Sequence, residues 1–163
     1  MKLTSLLFAL LLVTTGCVSP RGFPPSHGIQ NFDVVDADVC RGAQPSREAI
    51  MNLGAKSIVN LRDDPLPYEE DACLKAGIEY TNIPMGGLCA PSKSTMDSVQ
   101  AEIDRLPKPV FIHCRFGMER TGVTAACYQI RHGVKPEIAY KEAKGRGMSG
   151  LYLNAKSLIL SYK

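Results

Sequence analysis

A cysteine, an arginine six positions later and a glycine between them carry the chemistry open to this chain. They lie in His113-Cys114-Arg115-Phe116-Gly117-Met118-Glu119-Arg120-Thr121-Gly122. Ahead of them, Val110 to Ile112 is a short apolar run of β-branched and aromatic residues, which reads as a buried strand. Behind them, Val123 to Arg131 reads as a helix. A loop between a strand and a helix N-terminus gathers backbone N–H groups into a nest, and the helix dipole adds positive potential to the same space. Arg120 adds a planar fork that grips two oxygens of a phosphate. The field in such a bowl favours the thiolate of a cysteine at its floor. The pattern points to Cys114 as a nucleophile aimed at phosphorus.

The same string resembles the signature of the cysteine-based protein tyrosine and dual-specificity phosphatases: His-Cys, five residues, Arg, then Ser or Thr. Landmarks ahead of it look like those of small bacterial dual-specificity-like phosphatases. They are Arg41-Gly42-Ala43-Gln44-Pro45, Asn60-Leu61-Arg62, Ala76-Gly77-Ile78 and Ile83-Pro84-Met85. The resemblance implies hydrolysis of phosphomonoesters in two steps through a phosphocysteine on Cys114, with no metal and no other cofactor. It assigns the phosphoryl oxygens to Arg120 and to the N–H groups of Arg115, Phe116, Gly117, Met118, Glu119 and Arg120. Thr121 donates its hydroxyl to the sulfur, and His113 orders the loop by hydrogen bonding. The family draws its proton donor, an Asp, from a loop well before the cysteine. Here that loop is Pro84 to Ser92, and it contains no acid. Glu119 is the preferred substitute, because some relatives carry an acid at this loop position, and Asp63 and Asp64 stand in reserve. A carboxylate at a helix N-terminus is also favoured by the dipole alone.

These residues need elements to hold them. Ser46 caps a helix through Leu53 that Gly54 closes, and Ala55 to Leu61 is a buried strand. Glu69 to Ala76 is a helix ended by Gly77, and Ile78 to Ile83 is a strand. Ser92 or Ser94 caps a helix to about Leu106, with Val99, Ile103 and Leu106 as its apolar stripe. After the central strand and its helix, Pro136 starts another helix to about Lys144, and a last helix ends the chain. Strands alternating with helices predict an α/β fold, a mostly parallel central sheet flanked by helices. The resemblance makes it dual-specificity phosphatase-like. Ligands bind such sheets at the carboxyl ends of the strands, where Cys114, the turn after Leu61 and the loop after Ile83 converge.

Composition narrows the partners. Lys and Arg number 19 against 16 acids, a net charge of +3, with no basic block, so nucleic acid is not expected. Inside the loop, Arg115 is balanced by Glu119. That favours phosphotyrosine-type or broad phosphomonoester substrates, on a protein or a small molecule, over a strongly anionic inositol phosphate or phosphoinositide, the runner-up. A rhodanese-type sulfurtransferase, whose loop is usually one residue shorter, and a catalytically weak phospho-ligand binding module are the rival classes.

Residues 1–16 read as a secretory signal peptide, with Lys2 ahead of a mostly apolar stretch to Val13. Its end, Gly16-Cys17, resembles a bacterial lipoprotein signal with Cys17 as the lipidated residue. That places the protein in the cell envelope or periplasm, anchored to a membrane by lipid alone. Cleavage without lipidation, giving a soluble periplasmic protein, is the other outcome. Residues 17–31, rich in Pro and Gly, read as a tether, and 32–163 as the phosphatase domain. Six cysteines include no Cys-x-x-Cys pair, so a zinc site is not expected. An oxidising envelope permits disulfides among Cys40, Cys73, Cys89 and Cys127, and Cys89, overhanging the site, could oxidise with Cys114.

Overall fold

The computed structural model describes residues 27–163. Their five strands are β1 Asp33–Val34, β2 Val39–Gly42, β3 Ser57–Asn60, β4 Glu79–Asn82 and β5 Val110–His113. They form one sheet in the order β1-β2-β5-β3-β4. β2, β5, β3 and β4 run parallel, and β1 adds an antiparallel edge. The helices are α1 Arg47–Asn52, α2 Glu69–Ala76, α3 Lys93–Arg105, α4 Glu119–Arg131, α5 Pro136–Gly145 and α6 Ala155–Ser161.

β5 lies at the centre with all four residues buried. Side chains alternate between the faces of a strand, so β5 feeds two cores. Val110 and Ile112 join Val39 and Val59 under α3, α4, α5 and α6. Phe111 joins Cys40 and Ile58 under α1 and α2. This explains the unbroken apolar run in the sequence, since a strand covered on both faces cannot alternate with polar residues.

The expected element ends hold closely. The Ser46 side chain accepts from Ala49 N, and Ser92 rather than Ser94 caps α3 by accepting from Thr95 N. Gly77 ends α2 in the left-handed region at φ 68°. Two differences matter for the site. α4 starts at Glu119, four residues before the apolar stretch that announces it, with Gly122 N bonded to Met118 O. The expected tether ends sooner: Ile29 is buried in the α1–α2 core, and Ala43 N donates to Gln30 O. One isolated isoleucine between Gly28 and Gln30 gives no periodicity from which to read that burial. The expected signal peptide and Cys17 lie outside the described residues. Among the described residues no helix is long and apolar enough to cross a membrane.

Candidate active site

β5 carries His113 and Cys114 to the carboxyl end of the sheet, beside the ends of β2 and β3. The next residues turn back through Gly117, which is left-handed at φ +70°. A Cβ on Gly117 would lie 2.5 Å from Gly42 C and 2.6 Å from Ala43 N. The loop therefore rests backbone to backbone on the end of β2, an approach only glycine allows.

Four loop carbonyls point outward and are bonded there. Cys114 O meets His113 Nδ1 at 3.3 Å, and Arg115 O accepts from Gln44 N at 3.3 Å. Phe116 O accepts from Asn31 Nδ2 at 2.8 Å, and Gly117 O accepts from Arg41 Nη2. In a planar trans peptide the C=O and the following N–H point opposite ways. Fixing these carbonyls outward turns the following amides, Arg115 to Met118, inward over Cys114. The nest is thus imposed from behind, by groups on β2, on the residues just after it, on the turn before β1 and on His113 of β5.

Arg41 is 2% exposed, and its Nε has no hydrogen-bond partner. Burial, and then the nearby Arg146, lower its pKa to about 10, so it stays charged at neutral pH. This cation lies directly behind the loop. On the other side, Arg120 spends Nη1 on Asp63 Oδ1 at 2.7 Å, Met85 O at 3.0 Å and Leu61 O at 3.4 Å. Those bonds fix the guanidinium plane and leave Nε and Nη2 as the fork for two oxyanion oxygens.

His113 is fully buried, with Nε2 2.6 Å from Glu69 Oε1, itself fully buried. Glu69 Oε2 accepts from Asn60 Nδ2 at 2.9 Å and Gln44 Nε2 at 3.0 Å. Asn60 Oδ1 accepts from Arg62 N, and Arg62 forks onto Asp64 at 2.9 and 2.7 Å. This polar web joins β3 and α2 beneath the loop and sets Glu69 against the ring of His113 on β5. Above the loop opens a cleft of about 490 Å³ whose lining includes Cys114, Glu119 and Arg120. Three large apolar side chains stand at its rim beside exposed Arg115: Leu88 is 80% exposed, Phe116 51% and Leu151 85%.

Residues 37–134, more than half of the chain, match the family model described as "Polymorphic toxin system, DSP-PTPase phosphatase". The chain belongs to this family. Two curated relatives from Arabidopsis thaliana, the inositol diphosphatases DSP3 and DSP5, are 30% identical over 115 residues and 29% identical over 111. These matches take in 64% and 60% of this chain and 54% and 52% of those proteins, so the chain spans about half the length of the curated relatives it matches. The core catalytic domain of the PP-IP phosphatase SIW14 from S. cerevisiae, in complex with citrate, superposes with a TM-score of 0.73 at 20% identity. That match covers 83% of this chain and 86% of the other. P. aeruginosa TpbA in complex with pTyr gives 0.70 at 20% identity, over 82% and 85%. Tk-PTP in its active form gives 0.68 at 22%, over 80% and 93%. At such identities these structures establish a shared fold, the one expected from His113 to Gly122.

Within this DSP-PTPase chain the expected site residues meet with one correction, at Thr121. Cys114, Arg115, Phe116, Met118, Glu119 and Arg120 all line the cleft. Thr121 does not make its expected bond to the sulfur: with α4 starting at Glu119 it falls inside the first turn, where its Oγ1 is buried without a partner. Asp64, the other reserve acid, forks with Arg62, whose hydrogen bonds hold its carboxyl below the usual range, and it does not line the cleft. Asp63 instead reaches the site edge through Arg120. The possible cysteine pairings are not made, since Cys40, Cys73, Cys89, Cys114 and Cys127 are all free.

Sequence reasoning missed Arg41, Asn31 and Glu69. Arg41 stood inside a landmark string without a role. Glu69 looked like an ordinary acid in the first turn of a helix. Asn31 lay in the expected tether, and nothing local marked it.

Proposed function

We propose that the protein hydrolyses phosphomonoesters through a phosphocysteine on Cys114, acting on phosphotyrosine-type substrates. The observation that carries this reading is the loop whose carbonyls are bonded outward, leaving amides and the Arg120 fork above Cys114. Sγ attacks phosphorus, the P–O bond to the leaving group breaks, and Glu119 in the cleft gives the departing oxygen its proton. Water, giving a proton back to Glu119, then attacks the phosphocysteine; the S–P bond breaks, releasing inorganic phosphate and the thiolate. Amides and guanidinium hold the equatorial oxygens in both steps and need no reorganisation as charge develops.

The rim supports an aromatic ester over a polyanion: Leu88, Phe116 and Leu151 flank a phenyl ring well, and Arg115 is the one basic side chain beside them. A second reading, cleavage of inositol diphosphates, draws support from the names of the two Arabidopsis relatives.

A phosphate-release panel of a phosphotyrosine peptide, an inositol diphosphate, an alkyl phosphate and nitrophenyl phosphate tests these points. Cys114→Ser is expected to lose turnover on all four by about 1,000-fold or more, as loss of a nucleophile does. Glu119→Gln is expected to lose roughly 100-fold on the alkyl ester, a typical worth for general acid catalysis, and little on nitrophenyl phosphate, whose leaving group needs no proton. Equal loss on both removes Glu119 from this role. A higher kcat/KM on the inositol diphosphate than on the peptide selects the second reading.

We also propose that the protein is a lipid-anchored component of the cell envelope. Support comes from the sequence up to Cys17 alone. Palmitate labelling is expected in the native chain and absent in Cys17→Ala; labelling of neither rejects the anchor.

A further inference from the structure

The cleft wall opposite the phosphate loop has a feature its chemistry does not require. Leu153 N donates to Leu88 O at 3.0 Å, and Ala90 N donates to Leu153 O at 2.9 Å. Tyr152 Oη donates to Gly86 O at 3.1 Å. These bonds seam the loop after β4 to the segment before α6. Between them they make a fixed ridge of backbone along the cleft, with Tyr152 buried in it at 4% exposure.

Behind the ridge lies a second hollow, about 470 Å³, lined by Tyr152, Leu153, Asn154, Lys156, Ser157 and Leu160. Leu153 is 57% exposed and Leu160 38% exposed. Tyr152 lines both this hollow and the catalytic cleft, so the two adjoin across one side chain. Of the eight large apolar side chains that stand exposed among the described residues, five border one hollow or the other: Leu88, Phe116, Leu151, Leu153 and Leu160. Exposed apolar surface gathered in one place marks a binding face.

We propose that this hollow is a specificity subsite for a phosphorylated polypeptide, taking an apolar side chain of the leucine class that flanks the phosphorylated residue. The proposal deepens the phosphotyrosine reading above and rests on it. Adjacency decides the occupant: a chain whose phosphate is held over Cys114 and which leaves the cleft over the Tyr152 ridge meets the hollow next. Charge decides against a bilayer: Lys156 is the one cation lining the hollow, whereas an interfacial membrane face is rich in Lys and Arg. The fixed ridge makes the subsite pre-formed, so binding orders only the ligand.

The test uses the full chain and phosphotyrosine peptides in which a single leucine is moved, one position at a time, along both flanks of an otherwise polar sequence. Leucine at one or two adjacent positions on one flank is expected to raise kcat/KM roughly 10-fold or more, the effect of burying one such side chain. Leu160→Asp and Leu153→Asp are expected to abolish that preference while leaving nitrophenyl phosphate hydrolysis unchanged. Binding of the same peptides to Cys114→Ser is expected to show the same preference without turnover. A flat leucine scan overturns the subsite. So does loss of binding to anionic phospholipid vesicles in the aspartate variants with no change in peptide preference, which would make the face a membrane contact. Turnover of small esters with no turnover or binding of any peptide overturns the phosphotyrosine reading itself, and that outcome is distinct from a flat scan.

Discussion

Arg41 stands two residues before Ala43 in a strand whose other residues are apolar or glycine, and its guanidinium is nearly as buried as the valines around it. Burying an unpaired charge is costly, so its retention asks for a reason. It donates to the carbonyl of Gly117, and it places a cation behind the loop that we propose holds the phosphate. Both effects act on the phosphate through the loop, which makes Arg41 a positioning residue. Arg41→Met removes both, and Arg41→Lys keeps the charge without the fork. The Met variant is expected to lose roughly 10- to 100-fold in kcat/KM, within the range of a hydrogen bond involving a charged group. Its Cys114 should alkylate more slowly with iodoacetamide at neutral pH, and the Lys variant should recover part of that rate. Unchanged alkylation in the Met variant, with activity lost, would mean that Arg41 supports only the fold. Cys114 and Arg120 stood out in the sequence because their spacing is local. It could not show Arg41, whose partner is 76 positions away.

At the scale of elements, most of what positions the site was legible because each device is short. The serine caps, Gly77 and the apolar run of β5 act within a few residues of themselves. The two-residue β1 and the start of α4 were not legible. The first is too short for a period, and the second is polar until Val123 because its first turn is also the end of the phosphate loop. The contact between that loop and β2 is again non-local, although its glycines were visible. Gly117→Ala tests it. An alanine at φ +70° costs about 1–2 kcal/mol by itself, and its Cβ would also meet the backbone of Gly42 and Ala43, which cannot move aside as a side chain can. The loop must lift from β2, unfastening the carbonyls that aim its amides. The expected result is a lower unfolding midpoint, with vanadate binding weakened at least 10-fold. Full vanadate affinity in a destabilised variant would show that the nest survives without its platform.

Over the whole molecule, one sheet separates two cores, and the site is made where both sides reach its carboxyl edge. Arg120 comes from the larger core, through α4. Glu69 comes from the smaller side, through α2, and so does the turn at 27–31, whose Ile29 belongs to that core. This turn does two things at once: Ile29 fastens it, and Asn31 donates to Phe116 O in the phosphate loop. A chain beginning at residue 27 is therefore expected to keep full activity, whereas one beginning at residue 32, where composition first suggests a fold, is not. Losing a buried isoleucine costs about 2–5 kcal/mol, and the loop bond adds about 1 kcal/mol. Denaturant unfolding reads the sum. The two roles separate in point variants. Ile29→Ala should lower stability and leave kcat nearly intact at temperatures where the protein remains folded. Asn31→Ala should lower kcat with a much smaller change in stability, because freeing the Phe116 carbonyl lets the amide of Gly117 turn away from the phosphate. Equal activity in the two shortened chains would show that the loop holds its own shape, and that the turn before β1 only covers the core.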